Sequence, residues 1–126
     1  MGQPITVTDG ICFAFPDVCL TPAPPSSPVP IPYPNIAQLA DATGTATNVN
    51  AGGKPVVTEA SSISTSSGDE AGSSSPNKGE CKFTKFSATV KANGKGIVRL
   101  GDSTTQNGQN AVGTVLGGLP TVLVGG

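Results

Sequence analysis

The stretch at residues 16–35 reads PDVCLTPAPPSSPVPIPYPN, and its reading decides the fold. Eight of the chain's 12 prolines fall in residues 16–34. A linker of this composition joins two compact units and is polar. Only about 15 residues precede this one, too few for a domain. Val29, Ile31 and Tyr33 alternate with Pro28, Pro30, Pro32 and Pro34. On an extended backbone that alternation puts apolar side chains on one face and prolines on the other. Proline lacks the N–H donor, so the segment is excluded from the centre of a sheet. It suits a stiff edge that wraps a β core and resists edge-to-edge pairing.

The rest of the chain supports a β reading. Its 126 residues predict one domain, residues 1–126, with 111–126 as an apolar C-terminal extension. Gly (17) and Pro (12) are abundant, whereas charged residues make up 12%, low for a disordered chain. Three turn dipeptides punctuate strand-like runs: Asp9-Gly10, Gly52-Gly53 and Asn93-Gly94. Such dipeptides supply the positive φ that two-residue hairpins require. Each run leads to an Asp at a tight corner: Asp17, Asp69 and Asp102. TNVNAGGK and TVKANGK match each other, and the first unit matches them loosely, so a weak threefold repeat of hairpin plus corner is expected. The middle unit carries the insert TEASSISTSS, and residues 66–80 read as a polar loop. The best helix candidate is NIAQLADATG, residues 35–44, with Asn35 as N-cap and Gly44 as C-cap. Phe13, Phe15, Phe83 and Phe86 sit in strand-like runs and are expected in the core.

Catalysis is hard to build from this inventory. The chain has no His, one Tyr and one Arg. Asp17, Asp69, Glu70 and Asp102 are the residues from which a carboxylate cluster would be assembled. An Asp after Gly or Pro at a corner ordinarily bonds its own backbone, and the three aspartates are read that way. Cys12, Cys19 and Cys81 offer three readings: Zn²⁺ ligands, a Cys12–Cys19 bridge formed outside the cell, or inert buried thiols. The net charge of −1 gives no general attraction to nucleic acid or anionic lipid. Residues 1–20 lack a basic n-region and a continuous apolar h-region, so synthesis in the cytoplasm without a signal peptide is expected.

Four stretches resemble the PAAR-like spike-tip proteins of bacterial contractile injection systems. They are PDVCLTPAPPSSPVPIPYPN at 16–35, GGKPVVTEASSISTSSGDEAG at 52–72, KFSATVKANGKGIVRLGD at 85–102 and STTQNGQN at 103–110. The resemblance implies an all-β, small conical fold of short β-hairpins in a pseudo-threefold arrangement. It implies a structural rather than enzymatic role: one chain caps a trimeric β-helical spike protein, sharpens it and recruits effector or cargo proteins. It also implies assembly at the tip of a type VI or phage-tail-like particle, delivery out of the producing cell and transient contact with the target membrane. The family is similar in binding Zn²⁺ near the apex through His and Cys; here Gln106 and its neighbours stand where relatives often carry His. The competing class is a secreted or surface β-domain that binds a ligand or carbohydrate. Residues 119–124, LPTVLV, are expected to form a strand on the cone or at the spike interface.

Overall fold

A computed structural model of the chain describes residues 2–46, 48–72 and 78–125. Among the described residues, twelve strands run in chain order: β1 Gln3–Ile5, β2 Ile11–Ala23, β3 Ser26–Gln38, β4 Asn50–Ala51, β5 Lys54–Pro55, β6 Ser62–Ile63, β7 Cys81–Phe83, β8 Lys91–Ala92, β9 Lys95–Gly96, β10 Ser103–Gln106, β11 Ala111–Val115 and β12 Leu119–Val124. The main sheet has the order β3-β2-β11-β10-β7-β6, and three two-stranded ribbons, β1-β12, β4-β5 and β8-β9, complete the fold.

The three ribbons meet at a closed ring of backbone hydrogen bonds. Thr6 N–H donates to Val98 O, Val98 N–H to Val57 O, and Val57 N–H to Thr6 O, each at 3.0 Å. Antiparallel bridges flank the ring in the same cyclic sense: Ile5–Arg99, Val7–Val56 and Thr58–Ile97. The second and third units repeat each other bond for bond. Ala46 N–H donates to Val56 O and Val56 N–H to Val49 O; Ser87 N–H donates to Ile97 O and Ile97 N–H to Val90 O. Period-2 alternation then divides the core. Val57 and Val98 point to the sheet side, into a cluster with Cys12, Leu39, Ile63 and Phe83. Ile5, Val56 and Ile97 point to the ribbon side, where they pack with Ala51, Ala92 and Val124.

Only two of the three expected turn hairpins form. Gly52-Gly53 and Asn93-Gly94 close β4-β5 and β8-β9, with Asn93, Gly94, Gly52 and Gly53 all at positive φ. Asp9-Gly10 does not close a hairpin. A Cβ on Gly10 would lie 2.8 Å from the Gly117 Cα, because two chain segments cross there. The first unit's ribbon is instead built from both chain ends, β1 with β12, with Gln3 opposite Val124 and Pro4 opposite Leu123. LPTVLV is therefore a strand of the threefold body. β11, in the same apolar tail, lies inside the main sheet between β10 and β2.

The proline-rich stretch forms most of a long hairpin, β2-β3, with β3 at the sheet edge as its missing donors require. Ile31 and Tyr33 are partly buried and Pro30, Pro32 and Pro34 exposed, but Val29, expected on the same face as Ile31 and Tyr33, is exposed because it lies toward the far end of the hairpin. The same alternation runs on through Asn35 and Ala37, both fully buried. The helix expected over residues 35–44 is thus absent. Asn35 pairs with Ala14 in the sheet, and only Leu39–Asp41 forms a 3₁₀ turn. The tertiary pairing overrides the local capping signals. Two phenylalanines depart from expectation in the same region: Phe83 is buried, but Phe13 and Phe15 are 37% and 58% exposed. The inward positions of β2 beside them are taken by the smaller Cys12 and Ala14, both buried. Within residues 66–80, positions 73–77 lie outside the described residues.

The chain's single Arg locks the third unit to the C-terminal strand. Arg99 grips Asp102 in a bidentate pair, Nε to Oδ2 and Nη2 to Oδ1, both at 3.0 Å. Its Nη1 also reaches Gly125 O at 3.2 Å, which accepts from Ser87 Oγ at 2.7 Å. Arg99→Ala leaves the fully buried Asp102 carboxylate without its cation. The expected loss is about 3–5 kcal/mol of unfolding free energy, read from urea denaturation. A loss below about 1 kcal/mol contradicts this assignment.

Candidate functional site

The polar centre of the molecule lies where the β2-β3 hairpin meets the loop at residues 66–72 and the β10-β11 turn. A bulge in β2 between Ala14 and Asp17 resets the strand, so that Asp17 and Cys19 both face inward. Across β3, Asn35 faces the same interior. Ser66 and Asp69 enter from the loop, and Asn107 and Asn110 from the turn. Asp17, Asp69 and Cys19 are fully buried, and their ligating atoms lie within 4.8 Å of one another.

Amide donors fill the space between the carboxylates. Asp17 Oδ1 accepts from Asn107 Nδ2 at 3.1 Å and Asn110 Nδ2 at 2.6 Å. Asn35 Nδ2 lies 3.2 Å from both Asp17 Oδ2 and Asp69 Oδ2, and 2.8 Å from Ser66 Oγ. Asp69 Oδ1 accepts the Lys78 backbone N–H at 3.0 Å. Cys19 Sγ sits 3.5 Å from Asp17 Oδ1 and 3.8 Å from Asp69 Oδ2. Gly72 presses against the Cys19 Cβ so closely that no side chain fits there. Gln106 stands behind the cluster. Its Nε2 donates to Asn35 Oδ1 at 2.9 Å and Asn35 O at 3.0 Å, and its Oε1 accepts from Thr104 Oγ1 at 2.8 Å. Among the described residues no buried side-chain polar atom lacks a partner.

The two carboxyl groups titrate as a pair. Burial pushes Asp69 up to about 6, helped by its hydrogen bond to Asp17 and by the charge of Asp17. Burial acts the same way on Asp17, but the hydrogen bonds it accepts from Asp69, Asn107, Asn110 and Cys19 outweigh it. They hold the Asp17 carboxyl below its ordinary range. Asp69 is the proton carrier of the pair and Asp17 the anion.

The sequence-expected residues separate into distinct places. Cys19 joins Asp17 and Asp69. Cys12 and Cys81 lie together in the sheet-side core, where the hydrogen bond that the Cys12 thiol gives to Cys81, and then burial, push that thiol far above its ordinary range. Asp102 serves its own corner through Arg99, as the corner reading expects. Glu70 is exposed and caps the Gly68 N–H at 3.0 Å. The corner reading does not hold for Asp17, which bonds asparagine side chains rather than its local backbone, and Asp69, which accepts the Lys78 N–H, meets it from a distant part of the chain. Asn107 and Asn110 went unread; the Asn107-Gly108 turn, with Asn107 at φ 52, was their available signal. The zinc that the family resemblance implies has here a donor set of suitable residue types in Asp17, Cys19 and Asp69. All four carboxylate oxygens, however, already receive N–H donors or share their donor with the partner acid. A cation would need those donors turned away, so the arrangement does not fit a metal as it stands.

Two outcomes follow from this geometry. Asp69 binds its proton more tightly folded than unfolded, so its contribution is complete below the ordinary value of 3.8 and is lost as pH rises through about 6. Asp17 acts in the opposite sense, and its contribution is lost as pH falls below that ordinary value. Urea midpoints are therefore expected to peak between about pH 4 and 6, and Asp69→Asn to flatten the fall on the alkaline side. A wild-type profile flat from about pH 4 to 7 contradicts the pairing. Prolonged dialysis against EDTA is expected to leave the melting temperature unchanged; a fall of about 5 °C or more, restored by zinc, contradicts the hydrogen-bond closure.

Comparison with known proteins agrees with the architecture. A family profile described as the toxin PAAR-like domain matches residues 10–113. The DNase toxin Tse7 of Pseudomonas aeruginosa strain PAO1 is 42% identical over 105 residues, covering 75% of this chain and 27% of that toxin. The chain thus spans about a quarter of the length of this relative. No solved structure matches. The chain, all-β and built on a threefold ring, belongs to the toxin PAAR-like domain family.

Proposed function

We propose that this chain is a non-enzymatic spike tip: one copy caps the end of a trimeric β-helical spike protein in a contractile injection system, sharpens it, and carries or recruits a toxin. The observation that carries this reading is the closed ring through Thr6, Val57 and Val98 with its three ribbons. A single chain with three similarly placed ribbons presents each subunit of a trimer with a similar surface, so it meets a threefold end without a symmetry clash. The family match and the toxin relative support a tip associated with effectors. In this reading the protein is made in the bacterial cytoplasm, joins the particle there and leaves with it through the target envelope. Zinc has no part in it, because hydrogen bonds already hold the Asp17–Asp69 cluster.

Catalysis is not part of this proposal. The acid pair is fully buried, and the chain has no His to complete a proton relay. A second reading, a surface domain that binds carbohydrate, draws on the exposed Phe13 and Phe15. The exposed residues along the same face, Val18, Leu20 and Val112, are apolar, and the register sets a single hydroxyl, Thr114, opposite Phe13, too little to orient a sugar.

Native mass spectrometry of the chain mixed with the trimeric spike protein of the same organism tests the proposal. One chain per trimer is the expected result. Three chains per trimer contradict the symmetry argument, and a folded chain that does not bind contradicts the tip reading.

A further inference from the structure

We propose that the outer face of the β2-β3 hairpin is a lipid-contacting surface, matched to the uncharged acyl region of a zwitterionic bilayer. The inference rests on the tip reading and names the surface that would meet a membrane. An antiparallel sheet with one face to solvent ordinarily carries polar side chains there. Here Phe15, Val18, Leu20 and Val112 are 58%, 46%, 41% and 71% exposed. Val18 lies opposite Pro32 and Leu20 opposite Pro30, so pyrrolidine rings extend the apolar face. No charged residue occurs between Asp17 and Asp41. The end of the hairpin outreaches the body, with residues 24–30 exposed on both faces.

The free edge of the hairpin narrows the choice of occupant. The register places Ile31 opposite Cys19 and Tyr33 opposite Asp17, and puts prolines at the alternate positions. Those alternate positions are the ones whose N–H groups would face away from β2. Pro28, Pro30, Pro32 and Pro34 supply none, so the edge is stripped of donors along this stretch. An edge without donors offers another protein's strand only carbonyl acceptors, half of a ladder, and is a poor template for it. It also loses less on leaving water, because unsatisfied N–H groups are a main cost of placing backbone in hydrocarbon. Anionic headgroups are disfavoured as the target, since neither strand carries Lys or Arg.

Flotation of the full chain with phosphatidylcholine vesicles tests the proposal. Wild type is expected to float with the vesicles, with little change at high salt. The double variant Val18→Ser/Leu20→Ser is expected to lose at least about tenfold in partitioning while keeping its melting temperature. Leu123→Ser removes an apolar side chain of similar exposure on β12 and is expected to float like wild type. The proposal is overturned by no flotation, by flotation that requires phosphatidylserine and vanishes with salt, or by equal flotation of the double variant. It is also overturned if sedimentation shows the face buried in a dimer of the chain. Spike stoichiometry measured on the same samples separates the two claims. Binding without flotation removes only the lipid surface, and flotation without binding removes only the tip reading.

Discussion

Everything in this molecule depends on three backbone hydrogen bonds that run in a circle, from Thr6 to Val98 to Val57 and back. The ring and its three flanking bridges tie each ribbon to the next. The ring also sorts side chains, sending Val57 and Val98 into the sheet-side core and Ile5, Val56 and Ile97 into the ribbon-side core. A chain of this size has a thin core, and two small clusters joined through a common backbone ring are a way to share one. The ribbon that carries Thr6 into the ring joins the chain's two ends, so the first unit's place in the ring is bound to the long-range pairing of β1 with β12.

The interior between the hairpin and the loops solves a different problem. Two aspartates and a thiol are buried in one place, which is costly unless each polar atom is matched. Three asparagine amides and a backbone N–H match them, and burial beside Asp17 raises the Asp69 carboxyl to about 6, which eases the repulsion between the acids as pH falls. The result is a staple that ties β2, β3, the loop at residues 66–72 and the β10-β11 turn together. Because Gln106 braces Asn35 through both its side chain and its backbone, the cluster is positioned by a residue that touches neither acid.

Much of the fold was legible where the chemistry is local. Gly52-Gly53 and Asn93-Gly94 announce their hairpins because positive φ is a property of those residues. The proline alternation announces an edge strand because missing donors cannot be hidden. The first unit was legible only as a loose match, since its ribbon pairs residues at opposite ends of the chain. Asn35 reads as a cap in its local sequence and becomes a sheet residue through tertiary pairing. Phe13 and Phe15 gave no contrast to read, because both faces of that strand are apolar and burial went to the smaller side chains. The meeting of Asp17 with Asp69 was equally unreadable. Each sits at a corner that resembles that of Asp102, and only the bulge in β2 turns Asp17 inward.

Amide hydrogen exchange at Thr6, Val57 and Val98 tests the central claim most directly. If the three donors belong to one closed ring, they are expected to exchange in the slowest class, with protection factors within about tenfold of one another. Exchange of Thr6 faster than Val57 and Val98 by about a thousandfold or more would contradict the account. It would mean that the first unit is an appendage on a two-unit body, and the threefold face would no longer exist.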